Sequence, residues 1–125
     1  IRLLPPIRDR AVFAQWLASA DALLHGCEAE TFGMVAVEAR ASGLPLIVPD
    51  SGGAPDQLMP GAGFAYRSAD PASLLQKLTD FLRADPVAMR MAAHAAAQNV
   101  RPMGAHFDML FNHYCQLTKD ASYAA

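Results

Sequence analysis

Apolar positions recur along this chain in two rhythms. Between Arg10 and Ser19, Val12, Phe13, Trp16 and Leu17 share one face of a 3.6-residue period, and Asp9 stands where it can cap the first turn. A helix with Trp16 packed inward is expected there. Short unbroken apolar runs at residues 22–24 and 46–49, and a weaker one at 63–66, read as strands buried on both faces. Residues 1–4, stopped by Pro5-Pro6, read as one more buried strand. Helical spacing returns after Thr31, whose hydroxyl is placed to cap a helix running to about Ser42, where Gly43-Leu44-Pro45 stops it. Residues 55–59 read as a short helix or turn. Asp70-Pro71 and Asp85-Pro86 are start signals for two further helices, the first with Leu74, Leu75, Leu78 and Leu82 on its apolar face. A last helix over residues 104–119 carries Phe107, Leu110, Phe111, Tyr114 and Leu117, and the tail from Asp120 is expected to fray.

Strands alternating with helices predict an α/β fold: a Rossmann-like parallel sheet of about four strands, right-handed crossovers, flanking helices and a helical C-terminal part. Composition agrees, since 53% hydrophobic against 18% charged residues in a 125-residue chain argues for one buried core. A net charge of −2 gives no reason to expect nucleic acid, and the arginines at 2, 8, 10, 83, 90 and 101 are spread as on solvated faces. Cys27 and Cys115 have no CxxC partner, so neither a zinc framework nor a redox motif is expected, and free thiols fit a reducing cytosol. No run reaches the roughly 18 to 20 apolar residues of a membrane span. Met34, Met89, Met91, Met103 and Met109 read as core filler, and His106 and His113 as surface or packing residues without a metal-ligand pattern.

The stretch from residue 22 to residue 53 holds the candidate chemistry. A strand leads through a loop ending in Glu30 into a helix opening at Phe32-Gly33 and carrying Glu38; a second strand then leads into Gly52-Gly53. A glycine-containing first turn at the carboxyl edge of a parallel sheet presents free N–H groups and the positive end of the helix dipole, which suits phosphate. Glu38 leans back toward that turn and suits ribose hydroxyls, while Glu30 faces the space above the strand ends. His25 at a strand end reads as a packed histidine that could touch a ligand.

The run EAETFGMVAVEARASGLPLIVPDSGGAPDQL resembles the nucleotide-sugar site of glycosyltransferase family 4, retaining enzymes built from two Rossmann-like domains in the GT-B arrangement. Glu30, Phe32, Gly33 and Glu38 match the hallmark of two glutamates seven residues apart around a phenylalanine-glycine pair, and Gly43, Pro45, Gly52, Gly53 and Pro55 continue it. The resemblance implies that Glu38 binds ribose and that Glu30 is the catalytic contact at the donor sugar's reacting carbon. Backbone N–H groups around Phe32, Gly33 and Met34 would hold sugar hydroxyls or diphosphate, Thr31 would narrow the loop or add a hydroxyl contact to the donor, and Gly52 and Gly53 would border the same cleft. It implies no cofactor and no metal, a nucleotide-diphosphate-sugar donor, and a cytoplasmic enzyme with peripheral membrane contact allowed. Thr31 stands where glycine is commoner, Asp56 where glutamate is usual, and His25-Gly26-Cys27 where leucine-proline-serine is typical. The family's first two strands of this domain and its whole N-terminal acceptor domain have no counterpart here. The chain is therefore expected to be a partial C-terminal domain, inactive alone and weak in nucleotide affinity. A non-catalytic α/β nucleotide-binding or interaction module is the alternative; a nicotinamide-dependent oxidoreductase is disfavoured because no GxGxxG opens a helix.

Overall fold

The computed structural model describes residues 1–121. Its elements in order are α1 (Arg10–Ser19), β1 (Leu23–Leu24), α2 (Met34–Ala41), β2 (Leu46–Pro49), a single 3-10 turn (Pro55–Gln57), β3 (Gly63–Tyr66), α3 (Pro71–Arg83), α4 (Pro86–Ala97) and α5 (Met103–Ala121). The sheet is wholly parallel in the order β1-β2-β3, with Leu23 opposite Leu46 and Leu46 opposite Gly63. It is an α/β fold of the expected class.

Three strands form rather than about four. Residues 1–4 join no ladder, and Ile1, Leu3 and Leu4 are exposed. A strand needs a neighbour's N–H and C=O groups, and the apolar character of this run cannot supply them. Central strand β2 is buried along its whole length, with Leu46, Ile47, Val48 and Pro49 all inaccessible. Around it Leu17 of α1, Ala36 and Ala39 of α2, Leu44 and Ala54 make the main core, with Phe13 and Leu23 packed against its margin. A smaller cluster joins Ala62 to Ala93 and Ala96 of α4.

The helix starts follow local chemistry. Asp9, Asp70 and Asp85 each accept two first-turn N–H groups, and proline occupies the first position of α3 and α4. Two arginines act across elements. Arg90, read as a surface charge, is half-buried and donates to the Ala20 carbonyl at the end of α1, 2.7 Å away. Arg40 donates to the Ala96 carbonyl of α4 and to Gln57.

Several side chains expected inside lie outside. Trp16, Leu75 and Leu82 are exposed, and of the five methionines read as filler only Met89 is buried. Nearly every described side chain of α5 is exposed, Leu110 alone being half-buried. The tail expected to fray from Asp120 is instead helical at Asp120 and Ala121, the end of α5, and its remaining residues lie outside the described ones.

Candidate functional site

The carboxyl ends of the three strands converge on two loops that fit against each other. The first, residues 25–33, is held at its start by His25, whose N–H donates to the Ile47 carbonyl at 2.9 Å and whose carbonyl accepts from the Tyr66 hydroxyl at 2.8 Å. At its other end the Gly53 N–H donates to the Glu30 carbonyl at 2.7 Å. A Cβ on Gly52 would lie 2.7 Å from the Glu28 oxygen, and one on Gly53 would lie 2.5 Å from the Thr31 oxygen. Backbone meets backbone there, which no side chain permits. Burial, and then the nearby charge of Glu28, push the Tyr66 phenol above its ordinary value, so it stays a neutral donor to the loop.

Helix α2 opens on Gly33, which is left-handed at φ 78 and offers no side-chain cap. Thr31 therefore does not cap this helix; it is exposed, two residues before the cap position. The first-turn N–H groups of Met34, Val35 and Ala36 receive no side-chain acceptor among the described residues. An uncapped first turn keeps the positive pole of the helix available to an oxygen-rich ligand. Phe32 and Met34 flank it, both exposed.

The two glutamates have different surroundings. Glu30 is half-buried and lies 3.9 Å from the His25 Nε2, beyond hydrogen-bonding reach. Glu38 turns toward α1, where its Oε1 accepts from the Arg10 guanidinium at 2.9 Å. It lines a shallow groove with Phe13, Leu17 and Ser42, and Glu30 does not line that groove. The fold thus brings Glu30, Thr31, Phe32, Gly33, Met34, Gly52 and Gly53 together as one loop pair, with Glu38 on the next turn of α2 paired to the exposed Arg10. Arg10 is 85% exposed on its side chain, so this ion pair is readily exchanged for another partner of Glu38.

Two features escaped the sequence reading. Arg10 reaches Glu38 across 28 positions, which no local pattern encodes. His25, Cys27 and Glu30 place one ligand atom each within 4.8 Å of one another; the HxCxxE spacing at a strand end was the signal for it.

The glycosyl transferases group 1 family matches residues 9–98. A D-inositol 3-phosphate glycosyltransferase of Streptomyces scabiei is 36% identical over 98 residues, which are 78% of this chain and 22% of that protein. A GDP-mannose-dependent monoacylated alpha-(1-6)-phosphatidylinositol monomannoside mannosyltransferase of Corynebacterium glutamicum is 39% identical over 72 residues, 58% of this chain and 18% of that one. Among solved structures, a sucrose-phosphate synthase of Thermosynechococcus elongatus superposes with a TM-score of 0.74 at 26% identity, over 90% of this chain and 29% of the other. Anabaena HepE, solved in complex with UDP, gives 0.60 at 23% identity over 85% of this chain and 30% of the other, a likeness of fold. This chain accordingly spans 22% of the length of the Streptomyces relative. A match over residues 9–98, on a parallel sheet of the GT-B kind whose strand ends carry the paired-glutamate segment, makes this chain a member of the glycosyl transferases group 1 family.

Proposed function

We propose that this chain is the donor-binding part, the partial C-terminal domain, of a retaining glycosyltransferase that moves a hexosyl group from a nucleotide-diphosphate sugar to an acceptor held by an N-terminal domain. The observation that carries the reading is the pairing of a half-buried Glu30 with the uncapped first turn of α2 at the carboxyl edge of a parallel sheet. Family membership supports the reaction class, and the name of the Corynebacterium relative, GDP-mannose-dependent, supports a hexose donor.

In this reading the N–H groups of Met34, Val35 and Ala36 take diphosphate or sugar oxygens, aided by the helix dipole. Glu38 exchanges Arg10 for the ribose hydroxyls, since the guanidinium and the hydroxyls alike donate to its carboxylate. Glu30 sets a negative charge beside the sugar's reacting carbon, where positive charge grows as the bond to diphosphate breaks. Gly52 and Gly53 act by holding that loop at backbone distance. The leaving diphosphate is neutralised by the helix terminus and by basic side chains of the whole enzyme, without a metal. The protein works in the cytoplasm, with peripheral membrane contact allowed.

Calorimetric titration with uridine- and guanosine-diphosphate sugars tests this. Glu30→Gln and Glu38→Gln should each weaken binding by about 10- to 100-fold, the equivalent of one charge-assisted hydrogen bond. Equal affinity in all three proteins would remove the assignment. It would favour the alternative of a non-catalytic α/β module, to which the Arg10 pair and the glycine packing also lend themselves.

A further inference from the structure

We propose that His25, Cys27 and Glu30 form a three-ligand site for a zinc-class transition metal. An imidazole nitrogen, a thiol sulfur and a carboxylate oxygen lie within 4.8 Å of one another on one loop. A tetrahedral zinc with bonds of about 2.0 to 2.3 Å needs ligand atoms about 3.3 to 3.6 Å apart, so the three side chains draw closer together on binding. The His25–Glu30 separation of 3.9 Å is nearly there.

A second observation points the same way. The Nε2 of His25 is buried and makes no hydrogen bond, although buried nitrogens are ordinarily satisfied. Its side chain is only 12% exposed. An ion bridging this nitrogen and the Glu30 carboxylate, 3.9 Å away, would satisfy it. The loop is also fixed where a ligand set needs it fixed: the His25 carbonyl on Tyr66 and the Glu30 carbonyl on Gly53. Between these anchors Gly26 has open space around it and Cys27 is exposed, so the thiol can swing inward.

The donor set selects the metal. One sulfur and one imidazole disfavour magnesium and calcium, which take oxygen ligands, and favour zinc or cobalt, with a fourth position left to water. Binding displaces the thiol proton and occupies a neutral imidazole. Because Glu30 is a ligand, an ion here withdraws the carboxylate proposed to face the donor sugar; this consequence rests on the donor-site reading, whereas the metal site does not.

Cobalt(II) titration of the whole chain in a Cys115→Ser background tests the site. The expected result is one equivalent bound, with a sulfur-to-cobalt charge-transfer band and the intense visible bands of a tetrahedral ion. Cys27→Ser should abolish the charge-transfer band, and His25→Gln or Glu30→Gln should weaken binding by roughly tenfold or more. The same spectrum from Cys27→Ser, or no stoichiometric binding, would overturn the proposal; circular dichroism on each variant separates loss of a ligand from loss of fold. Zinc should also lower nucleotide-sugar affinity in the parent and leave it unchanged in Cys27→Ser. Unaltered affinity with the site loaded overturns the coupling alone. An intact cobalt spectrum with no nucleotide-sugar binding overturns the donor reading and the coupling with it.

Discussion

A methyl group on Gly53 would meet the Thr31 carbonyl oxygen at 2.5 Å, and backbone on both sides leaves no soft atom to yield. Gly53→Ala should therefore force the two loops apart and destabilise the chain by about 1 to 3 kcal/mol, the range of an overpacked contact. Urea unfolding measures it, and a change under about 0.5 kcal/mol would show that the loops are not clamped. Tyr66 supplies a prediction in pH. Its phenol is raised above 10.0 by burial and then by Glu28, so the neutral form is favoured by folding. That contribution is complete below pH 10.0 and fades as pH rises toward the folded value. Thermal midpoints of the parent should fall through that alkaline window, and Tyr66→Phe should flatten the fall while losing the bond to the His25 carbonyl. Chemistry at this scale was half legible. Glu30, Gly33 and Glu38 stand out in one line of sequence, but the Arg10 partner of Glu38 exists only after α1 has folded against α2. Thr31 failed as a cap because Gly33, two positions later, takes the left-handed turn that starts the helix.

Among elements, the helices that begin on Asp-Pro show why some of the fold could be read directly. Asp70 accepts from Ala72 and Ser73, and Asp85 from Val87 and Ala88, all within three residues. Such bonds need nothing from the rest of the chain. Asp70→Ala should cost about 1 kcal/mol by denaturant titration, with Asp70→Ser restoring most of it. The strands are another matter. Residues 46–49 announce themselves by four apolar positions in a row and are buried as expected, whereas residues 1–4, apolar at Ile1, Leu3 and Leu4, lie exposed. The difference is a neighbour: β2 has β1 on one side and β3 on the other, and no described strand pairs with residues 1–4. Periodicity says which face is apolar and leaves open what will cover it, as the exposed stripe on α5 shows.

For the molecule as a whole, stability rests on a small set of side chains around β2, and the exposed helices contribute little to it. Leu44 and Leu46 are at 2% exposure, whereas Phe107, Phe111 and Leu117 of α5 are at 45%, 60% and 53%. Leu46→Ala removes buried methyls from the strand that both neighbours pair with and should cost about 2 to 5 kcal/mol. A domain this size holds only about 5 to 15 kcal/mol in total, so that variant should be partly unfolded in mild urea. Phe111→Ser, at a side chain already in water, should stay within about 0.5 kcal/mol of the parent. The contrast is measured by urea titration followed by far-ultraviolet circular dichroism. If Phe111→Ser proves as costly as Leu46→Ala, α5 is part of the cooperative core in solution, packed against some surface that its exposed aromatic stripe then identifies.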